Sequence, residues 1–348
     1  MKLALDAMGG DEAPQINIDG AKLALRQLAS LEKLFLVGDE ELLRRACDAA
    51  GIGADSRLEI VHAPEVVKME DNGIMAVRQK RRSSMSIAVD LVRDGTCNAV
   101  VSAGNTGAAV TASTIKLRLL EGVERAGIVS PMPSVHGYVL VSDTGANPDA
   151  KPRHLVGYAV MAALMARYIY HRPSPNVAVM SNGTEDCKGS EFSKETHAIL
   201  RRLADEKLLP FNFIGNCEGH DLFETELDVA LTDGFTGNIL LKCVEATAKA
   251  FSHWMRDGIR KSPLAMLGAL GMRPVFQDIR ARMSADAIGG CPLMGVRGVS
   301  IIAHGSANGV AILNAIRMAE GMCHNNVNDR ITEAMTRLHD ALHAASAS

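Results

Sequence analysis

Small polar residues gathered around glycines are the clearest chemical signal in this chain. Five stretches carry it: Asp6-Ala-Met-Gly-Gly-Asp11, Ala103-Gly-Asn-Thr-Gly-Ala108, Asp143-Thr-Gly-Ala-Asn147, Thr232-Asp-Gly-Phe-Thr-Gly-Asn238 and His304-Gly-Ser-Ala-Asn308. Glycine lets a backbone adopt positive φ and come close to a ligand, so several amide hydrogens can converge on one anion. Ser, Thr and Asn add neutral donors, and a helix that follows adds its free N–H groups and the positive end of its dipole. The same residue types also serve plain turns and helix N-caps. One such stretch therefore says little, and it is their repetition that points to phosphate.

Other chemistries lack their signatures. There is no GxGxxG after a strand, no GxxxxGK[ST], no HExxH and no GxSxG. A nucleotide P-loop, a standard dinucleotide site, a zinc peptidase and an esterase elbow are thus disfavoured. Asp90 and Asp94 have the spacing of a metal pair on one helix face, but they sit at an amphipathic helix end, where a solvated charged face is the favoured reading. The seven cysteines are scattered without a CxxC pair, which signals neither a disulfide framework nor a zinc site. With 37 Lys and Arg against 40 Asp and Glu, the chain has no basic excess of the kind nucleic-acid binders carry. No apolar run reaches the ~18 residues of a membrane span. The expectation is a cytoplasmic protein that works in a reducing compartment.

The five stretches need a scaffold, and the hydrophobic pattern supplies one. Short apolar runs at 2–8, 33–37, 58–62, 99–102, 127–129, 138–142, 177–181, 211–214, 229–231 and 299–303 read as strands. Amphipathic stretches at 14–28, 40–50, 84–94, 106–120, 154–170, 194–206, 237–259, 307–323 and 328–345 read as helices. This alternation predicts an α/β fold, Rossmann-like, with a mainly parallel sheet flanked by helices, as one catalytic unit over 1–348. In such sheets ligands bind beyond the carboxyl ends of strands, where all five stretches fall. Residues 256–283 look like a helical insertion, with an apolar block at 264–272 between Arg256, Arg260, Lys261 and Arg273. That block suits a contact with lipid, with a carrier protein or with a dimer partner.

Seven segments in this order resemble the acyl-ACP:phosphate acyltransferases of bacterial phospholipid synthesis, the PlsX family. They are Leu5-Asp-Ala-Met-Gly-Gly-Asp11, Ser83-Ser-Met85, Val101-Ser-Ala-Gly-Asn-Thr-Gly-Ala108, Asp143-Thr-Gly-Ala-Asn147, Phe213-Ile-Gly-Asn-Cys-Glu-Gly219, Asp233-Gly-Phe-Thr-Gly-Asn238 and Ala303-His-Gly-Ser-Ala-Asn308. The resemblance runs from the first strand to about Arg317. It departs at Arg82, where the family tends to be acidic, at His220 in place of Arg, and at Ile288 in place of Tyr. The resemblance implies a fold similar to the phosphotransacetylase and isopropylmalate dehydrogenase group, a homodimer, and transfer of a fatty acyl group from acyl carrier protein to inorganic phosphate. The product would be acyl phosphate. Two alternatives stand beside it: a phosphotransacetylase-like enzyme using acyl-CoA, and a non-catalytic scaffold that binds acyl carrier protein.

For that reaction Gly104, Asn105, Thr106 and Gly107 are the expected phosphate cradle. His304 is the expected proton donor to the departing thiol, with Asp233 and Asn216 as further catalytic candidates. Asp6, Asn147, Asn238, Ser306 and Asn308 are the expected orienting groups. No metal or cofactor is required, because phosphate is itself the nucleophile and a thiolate is a good leaving group. The carrier protein is acidic, so the cluster of Arg78, Lys80, Arg81 and Arg82 is the expected docking patch. The apolar block at 264–272 adds peripheral contact with the inner face of the membrane as one reading. Cys217 is expected to be small packing.

Overall fold

In the computed structural model, which describes residues 1–283 and 285–346, the chain runs β1 (Lys2–Asp6), α1 (Gln15–Gln27), β2 (Lys33–Gly38), α2 (Glu40–Ala50), β3 (Leu58–His62), α3 (Gly73–Gln79), α4 (Ser84–Arg93), β4 (Ala99–Ser102) and α5 (Thr106–Leu117). It continues through β5 (Gly127–Ser134), β6 (Gly137–Ser142), α6 (Pro152–Tyr168), β7 (Asn176–Met180), α7 (Glu191–Asp205), β8 (Asn212–Cys217), α8 (Asp221–Glu224) and β9 (Val229–Leu231). The last part comprises α9 (Gly234–Arg260), α10 (Pro263–Gly271), α11 (Arg273–Met283), α12 (Ala285–Ile288), β10 (Gly290–Met294), β11 (Val299–Ala303), α13 (Gly309–His324) and α14 (Val327–Ser346).

One sheet of 11 strands joins these elements, in the order β3-β2-β1-β4-β11-β10-β5-β6-β9-β7-β8. The fold is therefore α/β with a mostly parallel sheet between helices. Its two ends run in opposite directions, however. β10 pairs antiparallel with both β11 and β5, and β5 pairs antiparallel with β6. Strands β3, β2, β1, β4 and β11 point one way, while β6, β9, β7 and β8 point the other. The five glycine-rich stretches thus lie at strand carboxyl ends, as the sequence indicates, but they leave the sheet in two opposite directions.

Four elements are absent from the sequence reading: the four-residue helices α8 and α12, strand β10 and helix α3. Strand β10 carries Pro292 and opens on a glycine pair, both of which argue against a strand. It forms because its neighbours on both sides are antiparallel, and Pro292 pairs in register with Ile301. Helix α3 has only 7 residues, too few for a periodic signal, and it starts where the Asn72 side chain accepts from the Met75 amide.

The core is aliphatic, as an aromatic content of 4% requires. Leu3, Leu5, Leu34, Leu36, Leu140, Leu155, Val229 and Ile301 fill it, and Tyr158 is the largest fully buried side chain. Helix α6 is buried along nearly its whole length, where small Ala residues let it lie close to the sheet. Helix α9 contrasts sharply: of its 27 residues only Gly234 and Gly237 are buried. With α10 and α11 it forms a helical arm, rooted in the loop after β9. Among the described residues no helix is long and apolar enough to cross a membrane.

Candidate functional site

At the carboxyl ends of β1, β4 and β11 three glycine-rich loops lie side by side. The Asp11 amide donates to the Gly305 carbonyl at 2.8 Å, and a Cβ on Gly9 would sit 2.6 Å from the Gly104 nitrogen. Only a glycine at position 9 allows that approach. Beneath the loops lies Asp6, 2% exposed. It accepts the Ser102 hydroxyl at 2.7 Å, and Ser102 in turn accepts the Gly104 amide at 3.1 Å. Burial pushes the Asp6 carboxyl above the usual carboxylate range, against the pull of the Ser84 and Ser102 hydroxyls and the Met8 amide. Asp6 therefore acts on the 103–107 loop through Ser102 and lies too deep to meet a ligand.

The 103–107 loop opens α5, and its parts divide the work. The Asn105 side chain accepts the Ala108 amide at 3.0 Å and donates to the Met69 and Asp71 carbonyls, both at 2.8 Å. Gly104 spends its amide on Ser102. The amides of Asn105, Thr106 and Gly107 meet no acceptor among the described residues, and Thr106 and Gly107 are exposed. These are the orphan donors of a helix N-terminus, open to an anion. What the sequence groups as four equivalent residues is a backbone cradle held by one side chain, that of Asn105. Gly73 fixes its far wall, since a Cβ there would lie 2.4 Å from the Gly107 carbonyl carbon.

The third loop holds His304 in a defined state. The Ser306 amide donates to His304 Nδ1 at 3.2 Å, and the Ser306 hydroxyl lies 2.8 Å from the same atom. A nitrogen that accepts an N–H carries no proton in the neutral ring, so the proton sits on Nε2. Asn308 caps α13 by accepting the Val310 and Ala311 amides, and donates to Asp286 at 2.8 Å. Beside this loop a groove of about 660 Å³ runs between α9, α11 and the start of α13. His304 and Ser306 line it together with Glu245, Lys249, Ser252 and Arg256, and Met255, Ile259, Phe276 and Ile279 supply its apolar wall.

Asp233, Asn147, Asn238 and Asn216 belong to the opposite-running half and do not join this cluster. Asp143, which the sequence reading passes over within its own motif, is the centre of the first three, while Asn216 stands apart on β8. Its carboxylate is fully buried and accepts the amides of Ile128, Gly145, Ala146 and Asn147 at 2.7–3.2 Å. Burial raises its pKa, and those amides oppose the rise. Asn147 donates to the Ala126 carbonyl at 2.6 Å and the Tyr158 hydroxyl at 2.8 Å. Asp233 caps α9, accepting the Phe235 and Thr236 amides and the Thr236 hydroxyl at 2.7–3.0 Å. A Cβ on Gly237 would lie 2.0 Å from the Asp143 carbonyl oxygen, and one on Gly145 would meet the Asn238 side chain at 2.7 Å. These contacts root the arm. Asn216, 8% exposed, donates to the Glu185 carbonyl, and its Oδ1 has no partner among the described residues.

A family model described as fatty acid synthesis protein matches residues 1–330. The phosphate acyltransferase of Akkermansia muciniphila is 59% identical over 338 residues, covering 97% of each chain. That of Elusimicrobium minutum is 41% identical over 320 residues, covering 92% of each. The chain belongs to this phosphate acyltransferase family. In fold it is similar to a phosphotransacetylase from Streptococcus pyogenes, with a TM-score of 0.61, 16% identity and coverage of 92% and 94% of the two chains. A branched-chain phosphotransacylase from Enterococcus faecalis gives 0.57 at 14% identity, covering 93% and 99%. At such identities the likeness is one of architecture.

Several details of this phosphate acyltransferase refine the sequence reading. Lys80 is not a free surface cation: it donates to Asp71 at 2.5 Å and to the Val66 carbonyl at 3.0 Å, holding the loop that Asn105 also grips. The exposed basic patch is therefore Arg78, Arg81 and Arg82, beside the exposed apolar Ile74 and Met75 of α3. Asp90 is an ion-pair partner of Lys116 at 2.7 Å and of Arg93, while Asp94 pairs with Arg93. Among the described residues no group of three or more His, Cys, Asp or Glu could hold a metal ion. Cys217 is 2% exposed, with burial pushing its thiol up to about 12, which leaves no thiolate for attack near neutral pH. Lys249 escaped notice in the sequence because its significance lies in a helix face, shared at i, i+3 and i+7 with Ser252 and Arg256.

Proposed function

We propose that this enzyme moves a long-chain fatty acyl group from acyl carrier protein to inorganic phosphate, giving acyl phosphate for phospholipid synthesis. The observation that supports this reading is the placement of His304 and Ser306 at the mouth of a groove with an apolar wall, beside a loop with free amide donors. Phosphate rests on the amides of Asn105, Thr106 and Gly107, with its charge offset by the α5 N-terminus. A phosphate oxygen attacks the thioester carbonyl and forms the new C–O bond. The C–S bond then breaks; the thiolate takes the Nε2 proton of His304, and the proton that the attacking hydrogen phosphate gives up returns to that nitrogen, so the ring ends neutral. Holding both reactants in one place supplies most of the acceleration, since neither needs activation by a cofactor.

Acyl carrier protein docks, in this reading, on Arg78, Arg81 and Arg82. Reversing Arg81 and Arg82 to Glu should raise KM for acyl carrier protein about tenfold and leave KM for phosphate unchanged. Equal effects on both substrates would remove the patch from docking. A homodimer is part of the same reading: Phe235, Ile239, Phe251 and Trp254 are 48–67% exposed on α9, more apolar surface than one helix leaves uncovered without a partner. The exposed Leu264, Leu267 and Leu270 of α10 suit peripheral contact with the inner face of the membrane. The deciding experiment incubates the protein with palmitoyl-acyl carrier protein and follows release of free carrier. Release that depends on phosphate supports the proposal, and release independent of phosphate, or none, defeats it.

A further inference from the structure

The groove beside His304 does not end within the arm. A second groove of about 410 Å³ lies between α9, α10 and α11, lined by Ile259, Met266, Leu270 and Phe276 among others. Ile259 and Phe276 line both grooves. Each is half-buried, whereas Leu264, Leu267 and Leu270 beyond them are 67–78% exposed. Polarity changes along the same line. Glu245, Lys249, Ser252 and His304 gather at the end nearest the glycine-rich loops, and Met255, Ile259, Phe276 and Ile279 follow toward the tip, with Arg256 beside them and Arg273 and Gln277 on the rim of the second groove. Lys249 and Arg256 both line the first groove, where the Arg256 Nε donates to the Ser252 carbonyl at 3.1 Å. Such a channel fits an amphiphile with an anionic head and a long unbranched tail.

We infer that the two grooves form one acyl-chain channel, and that Ile259 and Phe276 are the constriction that sets which chain lengths it accepts. The inference rests on the acyl-transfer reading above and names the specificity-determining residues within it. The occupant is the acyl chain itself, which arrives as a thioester and leaves as an acyl phosphate. A short chain ends within the first groove. A long one passes between Ile259 and Phe276 and reaches the second, which opens beside the exposed face of α10. Flexible Met255 and Met266 on either side adapt the walls to the chain, as unbranched thioethers do. Each methylene moved from water into such a wall adds binding energy, so a blocked constriction should discriminate by length.

The test compares kcat/KM for acyl carrier protein loaded with chains of about 8, 12 and 16 carbons. Phe276→Trp should lower kcat/KM for the longest chain about tenfold and leave the shortest within about twofold. Ile259→Phe narrows the passage from the other helix and should give the same profile, while Phe276→Ala should shift preference toward longer chains. KM for phosphate should stay constant in all three, and circular dichroism should show an intact arm. A uniform change across the chain lengths, or no change in any variant, would overturn the constriction and leave acyl transfer standing. A wild-type protein inactive on every thioester would instead overturn the acyl-transfer reading, and the channel with it.

Discussion

Asp143→Ala should lower stability by about 3–5 kcal/mol, seen as a fall in melting temperature on the order of 5–10 °C. The reason is the company the carboxylate keeps. It is fully buried and accepts the Ile128 amide at 2.9 Å, the Gly145 and Ala146 amides at 3.2 and 3.1 Å, and the Asn147 amide at 2.7 Å. Removing it leaves those donors with no acceptor and no access to water, and each buried unsatisfied donor is costly. Asp143→Asn should fall between wild type and Ala. The oxygen of Asn can still serve Ile128, Gly145 and Ala146, but its nitrogen then opposes the Asn147 amide. Thermal melts of the three proteins decide the matter, and equal melting temperatures for wild type and Ala would show that the cluster contributes no net stability. Because this cluster also roots α9, the Ala variant should lose protease resistance in the arm first.

His304→Ala should reduce kcat by about 100-fold with little change in KM for phosphate. The ring presents its Nε2 proton, since Nδ1 is occupied as an acceptor by the Ser306 amide. Alanine removes the donor and leaves the backbone of the 304–308 loop, which the Asp11 amide grips through the Gly305 carbonyl. The phosphate cradle should therefore survive, which separates loss of proton transfer from loss of the site. Ser306→Ala should cost less, because the amide that fixes the tautomer remains. Turnover of His304→Ala within about threefold of wild type at saturating substrates would dismiss the acid role.

How much of this was legible in the residues follows from which interactions are local. Helix starts were readable because their chemistry sits within a few residues. Asp233 capping α9 and Asn308 capping α13 are examples, and the same short range explains why a cap and a catalytic group look alike in sequence. Sequence shows that Asp233 lies at a strand end in a polar loop. It does not show that both carboxylate oxygens are already taken up by Phe235 and Thr236. Likewise Lys80 reads as one of a basic run, and only folding brings Asp71 and the Val66 carbonyl to its ammonium.

By itself, the sequence determined the alternation of strands and helices, the glycine-rich loops at strand ends, the absence of nucleotide and metal motifs, and a resemblance that the family comparison shares. Period and turn chemistry are written residue by residue, so they survive without tertiary context. Strand direction is different, because it depends on which distant segments pair. The segment with Pro292 inserts as β10, antiparallel to both β11 and β5, which leaves β5 running with β11, and the antiparallel β5–β6 pairing then reverses β6, β9, β7 and β8. That reversal sends the five loops to two places: one group leaves amides open beside His304, and the other closes around Asp143 to anchor the arm. Helix α9 then reaches from the second group to the first and lays Lys249, Arg256 and Ile259 along the groove. The loops look alike in sequence because glycines, small donors and caps serve an anion and a buried carboxylate equally well. Only the tertiary structure decided which loops leave amides open and which close around a buried carboxylate.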